Sequence, residues 1–273
     1  MSSLYPVMAD RTRRRVLTAL GGTVAVGLAG CSQGGDSGGT PTETDGMTEN
    51  DGMTEGMDDE MTEDGGMDGS AYVRVAHLSP DAPNVDVYVD GSAVLEDVAF
   101  TDVSGYLELS PGTHTVEITA AGDASTSVFE QDLELAAADY TIAAAGELAE
   151  DGEAFSPLVL EDNRESPGGN MARVRLVHAA PDAPAVDVTV NATGAAIFDD
   201  VAYGETSSTT VEANDYTIQV RAANEENDGQ IVLDQDLSLN GGTGYTVFAA
   251  GYLSPDDEPT DEALQLVVAQ DTE

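Results

Sequence analysis

Residues 73–89 read VRVAHLSPDAPNVDVYV, and residues 174–190 read VRLVHAAPDAPAVDVTV. A later segment recurs in the same order, because YTIAAAG at 140–146 matches YTVFAAG at 245–251. The second copy is slightly longer between the matching segments, as expected when insertions fall in loops. The sequence therefore predicts one structural unit written twice along the chain.

Each copy carries the pattern of short strands rather than of helices. Residues 85–89 and 186–190 place valine at every second position, which is the period of a strand with one buried face. Asp90 and Gly91 follow the first of these strands and suit a tight hairpin turn, since glycine tolerates a positive φ. Roughly seven or eight such strands per copy, separated by turn-forming residues, favour a sandwich over a barrel.

The domain boundary is expected where the composition changes. Residues 165–170 read ESPGGN, which is typical of a linker. The repeats then occupy residues 71–164 and 171–273, and each is long enough for a core of its own. The expected fold class is all-β, with two tandem antiparallel β-sandwich domains after a disordered acidic stalk.

The first part of the chain has the features of an export signal. Residues 1–30 contain Arg13 and Arg14, followed by a weakly apolar stretch rich in glycine and alanine. This stretch is short for a membrane span, and it ends in Leu-Ala-Gly before Cys31. The order resembles a twin-arginine signal peptide with a lipobox. That resemblance implies a lipid on the Cys31 thiol, which is the nucleophile that such chemistry needs.

Residues 31–70 are expected to form a disordered acidic stalk. From position 32 to position 70 there is no Val, Ile, Leu, Phe, Tyr or Trp, so little apolar surface could offset the entropy cost of ordering. Thioethers suit Cu(I), and the stalk holds Met47, Met53, Met57, Met61 and Met67. Without His, and with Cys31 assigned to lipid, a low-complexity tether is favoured over a metal site, and no cofactor is expected.

The charge of the chain argues against nucleic acid as a partner and indicates a salt-rich environment. The chain has 52 acidic residues against 9 basic ones, a net charge of −43, and every basic residue is arginine. Nucleic-acid binding requires clustered basic residues, so it is not expected. The composition resembles that of haloarchaeal proteins, in which high salt screens repulsion between carboxylates. With Cys31 as the only cysteine, no internal disulfide can form.

The motif itself resembles a known family. Val-Arg-x-x-His-x-x-Pro-Asp-Ala-Pro-x-Val-Asp-Val-x-Val, present in both copies, is similar to the domain-of-unknown-function family 4397 (DUF4397). The resemblance implies immunoglobulin-like β domains, often in tandem, on secreted or surface-anchored proteins. It implies no activity, and therefore transfers no catalytic residue.

The candidate site residues are His77 and Asp81, with His178 and Asp182 in the second copy. They could form a metal or ligand contact at the end of the first strand of each copy. Alternatively, the two prolines fix the loop, the aspartate accepts a backbone N–H in an Asx turn, and the histidine packs beneath and bonds a carbonyl. One His and one Asp per copy are too few for a closed metal site, so the structural interpretation is favoured.

Three other features of the sequence bear on its chemistry. His114 corresponds to Tyr216 in the second copy, which argues against a catalytic role. Asn191 begins an Asn-Ala-Thr glycosylation sequon in a predicted hairpin loop. No nucleophile elbow, zinc-protease motif or phosphate loop occurs, and carboxylates are too numerous to single out a glycosidase pair.

The sequence thus predicts a lipid-anchored protein on the extracytoplasmic face of the membrane. It would display two non-catalytic modules for binding, adhesion or envelope structure, with an envelope protein or glycan as partner. The alternative is a lipoprotein that binds a solute, glycan or cation, and the third candidate is a secreted hydrolase.

Overall fold

The computed structural model describes residues 69–149 and 152–272. The predictions made for the signal peptide, for Arg13, Arg14 and Cys31, and for all but the last residues of the stalk lie outside these described residues. Within them, no helix is long and apolar enough to cross a membrane.

The described residues fold into strands, as the sequence predicts, with one short 3-10 turn at Pro255–Asp257. The first repeat contains β1 (Ala71–His77), β2 (Val85–Val89), β3 (Ser92–Val98), β4 (Leu107–Leu109), β5 (Gly112–Ala120), β6 (Asp123–Leu135), β7 (Asp139–Ala145) and β8 (Ser156–Asp162). The second contains β9 (Met171–Ala179), β10 (Val186–Val190), β11 (Ala196–Val201), β12 (Thr206–Glu212), β13 (Asp215–Ala222), β14 (Ile231–Ser238), β15 (Gly244–Ala250) and β16 (Gln265–Gln270).

Each repeat is a sandwich of two four-stranded sheets. We call β4-β1-β7-β8 and β12-β9-β15-β16 the inner sheets, and β3-β2-β5-β6 and β11-β10-β13-β14 the outer sheets. The two repeats have the same strand order, which confirms the all-β prediction and the duplicated sandwich. The immunoglobulin-like assignment stays a prediction.

One pairing in each repeat departs from the antiparallel prediction. β1 pairs with β7 in parallel, and β9 pairs with β15 in parallel. Five strands separate β1 from β7 along the chain, and five separate β9 from β15. The alternation of residues contains no information about which strands become neighbours in a sheet or in which direction they run there.

The alternation of side chains divides β1 between two cores. Val73 and Val75 point into the sandwich, where they pack with Val87 of β2 and Ile118 of β5. The second repeat has a corresponding core between its own two sheets. The predicted hairpin after β2 is confirmed, since Asp90 and Gly91 have φ values of 51° and 74° and Val89 pairs with Ser92.

The opposite faces of the inner sheets form a third core, which joins the repeats. Its members come from both copies and are Ala76, Leu78, Ala143, Ala145, Val177, Ala179, Phe248 and Ala250. These small apolar side chains are almost fully buried, so the two inner sheets lie against each other. The sequence predicted two independent cores and did not predict this interface.

Candidate functional site

The motif loops lie at one end of the inner strands, where the chain crosses to the outer sheet. β1 ends at His77 and β9 ends one residue after His178. The segments that follow β7 and β15 lie at the same end. They meet there directly, because the Tyr252 hydroxyl donates to Glu147 Oε1 at 2.8 Å. Both copies of the motif therefore contribute to one end of a joined body.

Both motif histidines are buried and bonded within their own loops. His77 Nε2 donates to the Pro83 carbonyl at 3.0 Å, and His178 Nε2 donates to the Pro184 carbonyl at 2.9 Å. Burial lowers the pKa of each imidazole, outweighing the carbonyl contact, so the neutral form is favoured. These are the contacts expected of a histidine that packs beneath a loop and bonds a carbonyl.

The motif aspartates join each loop by hydrogen bonds to a segment that is distant in the sequence. Asp81 accepts the backbone N–H groups of Leu148 and Ala149 at 2.9 and 2.8 Å. Asp182 does the same for Leu253 and Ser254, at 2.7 and 2.8 Å. The predicted Asx turn is therefore wrong about the partner. Because β7 runs parallel to β1, its end lies beside the loop, and the Asp81 carboxylate accepts backbone N–H groups there. Locally it accepts only from the Ser79 hydroxyl, at 3.3 Å.

An acidic cleft of about 660 Å³ opens between the two loop ends. Its charged lining residues are Glu147, Glu153, Asp182, Asp257 and Glu258. Burial, followed by the charges of Asp182 and Glu147, raises the pKa of the Glu258 carboxyl. No group of three or more His, Cys, Asp or Glu suited to hold a metal ion occurs in the described part of the chain.

Burial and nearby carboxylates raise the pKa of two phenols near the cleft. Burial raises the pKa of Tyr203 to about 12, and Glu153 and Glu147 add to this effect. Burial and the hydrogen bond to Glu147 raise the pKa of Tyr252 as well. Both phenols are therefore protonated at neutral pH, and Tyr252 acts as a donor in the interface.

Arginines in the interior of β1 and β9 form a charge network between the repeats with aspartates at the ends of β8 and β16. Arg74 Nη2 lies 2.7 Å from Asp271 Oδ1, and Arg175 bonds Asp162 in the same way. Thr246 Oγ1 accepts from both guanidinium groups, at 3.2 and 2.8 Å. Each buried charge thus has an opposite charge and further hydrogen bonds, as burial requires.

The network has approximate two-fold symmetry. Arg74 and Arg175 occupy the same motif position. Asp162 and Asp271 are also equivalent, because each directly follows the residue that pairs with the tyrosine of β7 or β15, Glu161 with Tyr140 and Gln270 with Tyr245. Each arginine reaches the aspartate of the other copy, and Arg74 Nε also lies 3.5 Å from Asp162 of its own copy. Such reciprocal contacts are those of an isologous interface, here made within one chain.

Sequence reasoning missed these residues, although a signal existed. Five arginines lie beyond the signal peptide, and two of them, Arg74 and Arg175, occupy the same place in both copies, between apolar residues of a strand. An arginine repeated at a strand-interior position indicates a buried partner. Asp162 and Asp271 lie outside the matching segments, so no comparable pattern marks them.

The remaining sequence candidates lie apart from this site. His114 pairs with Leu133, and Tyr216 pairs with Leu237, which matches the predicted correspondence. The His114 ring bonds the Ser110 carbonyl and the Asp90 carboxylate, both at 2.7 Å, and these contacts raise its pKa. Asn191 lies exposed in the turn between β10 and β11.

Comparisons with known proteins give a family match and distant matches to solved structures. A family model described as a domain of unknown function, DUF4397, matches residues 71–189 and 172–273. No curated protein matches.

Among solved structures, the Bacillus anthracis TIE protein shares 9% identity over 67% of this chain, with a TM-score of 0.22. This chain spans 34% of that protein. A putative cell adhesion protein from Bacteroides fragilis shares 9% identity, with 73% of this chain and 97% of that chain covered and a TM-score of 0.20. Such low scores carry no argument about function.

Proposed function

The chain belongs to the DUF4397 family, and on that premise we propose that it is a lipid-anchored surface protein. Its two repeats act as one rigid, non-catalytic body on the extracytoplasmic face of the membrane. The leader exports the chain, Cys31 anchors it, and the stalk holds the body away from the lipid. The motif-loop end contacts a partner of the cell envelope, either a protein or a glycan.

The observation that carries this proposal is the direction of the strands. β1 begins at Ala71, where the stalk joins it, and runs to His77, where the first motif loop begins. The Tyr252–Glu147 contact holds the second loop end beside the first. A chain anchored through the stalk would therefore turn both motif loops and the acidic cleft away from the membrane.

The non-catalytic part of the proposal rests on how the reactive side chains are used. Both motif histidines are buried and neutral, and both motif aspartates bind backbone N–H groups. The cavities inside the two sandwiches measure about 20 and 10 Å³, far below the roughly 300 Å³ of a small-molecule site. A partner would accordingly be bound on the surface.

The acidic surface supports a salt-rich setting. Residues 71–273 hold 39 acidic residues against 5 arginines, so the body repels itself in dilute buffer. A Debye length of roughly 3 Å at 1 M salt removes most of that repulsion. We include a high-salt environment in the proposal for this reason.

Cell fractionation tests the anchor. The full chain is expected in the membrane fraction and open to protease added to intact cells. Cys31→Ser should release it into the medium, whereas the neighbouring Ser32→Ala should leave it on the membrane. Retention of Cys31→Ser on the membrane, or protection of the wild-type chain from external protease, would contradict the proposal.

The acidic cleft favours one second candidate, binding of a solute, glycan or cation at the loop end. Thermal unfolding of the pure protein in molar salt, with calcium or envelope glycans added, separates the two. Ligand binding would be supported if an added ligand raised the unfolding temperature saturably and the double variant Glu153→Gln with Glu258→Gln lost that effect. Turnover of chromogenic glycoside or ester substrates would instead support a hydrolase.

A further inference from the structure

The turn between β10 and β11 carries a side chain that the fold does not use. Residues 191–195 connect the two strands, and Asn191-Ala192-Thr193 is the one Asn-x-Ser/Thr triplet among the nine asparagines of the chain. All five turn residues are exposed. The Asn191 side chain makes no hydrogen bond with any part of the chain that the structure describes.

In the first repeat, the residue at the position of Asn191 stabilises its turn. There the corresponding residue is Asp90, in a two-residue turn. Its carboxylate accepts the Thr115 N–H at 3.0 Å and bonds the His114 ring at 2.7 Å. Its side chain is thus directed back onto the neighbouring strand and stabilises the turn.

In the second repeat, the backbone hydrogen bond of this residue is kept, whereas its side-chain hydrogen bonds are absent. The Asn191 N–H donates to the Thr217 carbonyl at 2.9 Å, as the Asp90 N–H does to the Thr115 carbonyl at 2.9 Å. Tyr216 replaces His114, and its hydroxyl donates to the Glu212 carbonyl instead. The turn is also longer, with Gly194 at a φ of 69°, and Asn191 is exposed in it.

From this geometry we propose that Asn191 is an N-glycosylation site, with Thr193 as the hydroxyl residue that the transferase requires. The inference rests on the proposed function, because the glycan donor and its transferase act outside the membrane. A twin-arginine signal delivers a folded chain, so the acceptor must be accessible in the native structure. All residues of the described turn are exposed, and the Thr193 hydroxyl accepts the Ala195 N–H at 3.2 Å on its surface.

The reaction is a group transfer without redox change. The Asn191 amide nitrogen forms a bond to the anomeric carbon of a glycan carried on a lipid phosphate or diphosphate. The anomeric C–O bond to the phosphate breaks, and the lipid phosphate leaves with the electron pair. The amide nitrogen gives one proton to a base of the transferase and keeps the other.

Mass spectrometry of the full chain from a halophilic archaeal host tests the site. Trypsin cuts after Arg175 and Arg221 and releases one peptide, 176–221, that contains Asn191 and no other cleavage site. The wild-type peptide should carry the added mass of one or more sugar residues. The addition should disappear in Asn191→Gln and Thr193→Ala and persist in Thr193→Ser.

Thr210→Ala is the matched control, because Thr210 is an exposed threonine of the same peptide outside the sequon. Its glycan mass should equal that of the wild type. An unmodified peptide from chain that external protease reaches on intact cells would overturn the glycosylation site and leave the proposed function standing. A chain confined to the cytosol would overturn the proposed function, and this inference with it.

Discussion

Asp81 and Asp182 accept backbone N–H groups from residues 67 and 71 positions further along the chain. Equivalent residues in two diverged copies make the same pair of contacts, although their loops differ in sequence. The motif aspartate therefore joins the crossing loop to the end of the parallel strand beside it. The histidine supports the same loop from below.

Replacing Asp81 by alanine should destabilise the protein by about 1–3 kcal/mol, since two N–H groups lose a charged acceptor. Denaturant unfolding in molar salt measures the loss. Asp256→Ala is the control, because it removes the same charge from an exposed site; it should change the free energy of unfolding by less than about 0.5 kcal/mol. Equal losses of unfolding free energy in the two variants would contradict a stabilising role of the Asp81 contacts.

The buried histidines predict a pH dependence of stability. The pKa values of His77 and His178 in the folded protein lie below the value of 6.5 in the unfolded chain. Between the folded and the unfolded pKa, the unfolded chain therefore binds more protons than the folded protein. Stability should therefore be full above pH 6.5 and decrease below it. His114, with a raised pKa, acts in the opposite direction, so the measurement belongs in a His114→Gln background.

Adding His77→Gln and His178→Gln to that background should flatten the slope between pH 6.5 and the lowered folded pKa values. Glutamine keeps an N–H for the proline carbonyl but cannot be protonated in this range. An unchanged slope would show that other groups carry the pH dependence.

At the scale of elements, the hairpins follow directly from local sequence. Asp90 and Gly91 both adopt positive φ, as a two-residue turn between twisted strands requires. The strands themselves follow from the alternation of valine in β2 and β10. These features are determined by near neighbours in the chain, so they could be predicted from sequence.

Gly91→Ala should cost about 1–2 kcal/mol, because an L side chain is strained at a φ of 74° even where space is open. Gly105 offers a matched control, since an added Cβ also meets open space there and its φ is not positive. Thermal unfolding of both variants compares the two. A loss in Gly105→Ala as large as in Gly91→Ala would argue against backbone strain.

Strand neighbours could not be predicted, because pairing depends on distant parts of the chain. The parallel contact of β1 with β7 and the face-to-face packing of the inner sheets are of this kind. A partial signal was nonetheless present. β7 and β15 read DYTIAAA and GYTVFAA, nearly continuous apolar runs typical of strands buried on both faces. For the candidate site, the His and Asp contacts were foreseen in kind, but the arginine network was not.

At the scale of the whole molecule, the two repeats resemble a symmetric dimer joined by a linker. A small apolar core and a reciprocal pair of ion contacts hold the inner sheets together. The apolar surface supplies the attraction, and the charge network fixes the relative position of the copies, since a shifted arrangement would leave buried charges unpaired.

Arg74→Met should destabilise the protein by about 3–5 kcal/mol, because Asp271 stays buried without its guanidinium partner. Denaturant unfolding in molar salt measures the change. In the double variant Arg74→Met with Asp271→Leu, the loss should be smaller than the sum of the two single losses. Additive losses would show that the pair is not coupled across the interface.

The central structural claim is that both copies fold as one body, which can be presented as a unit at the end of a stalk. Hydrogen exchange in molar salt tests it most directly, with Val87→Ala placed in the core of the first repeat. The account predicts that amides of Ile118 in the first repeat and Val220 in the second lose protection by the same factor. Faster exchange at Ile118 with unchanged exchange at Val220 would contradict it.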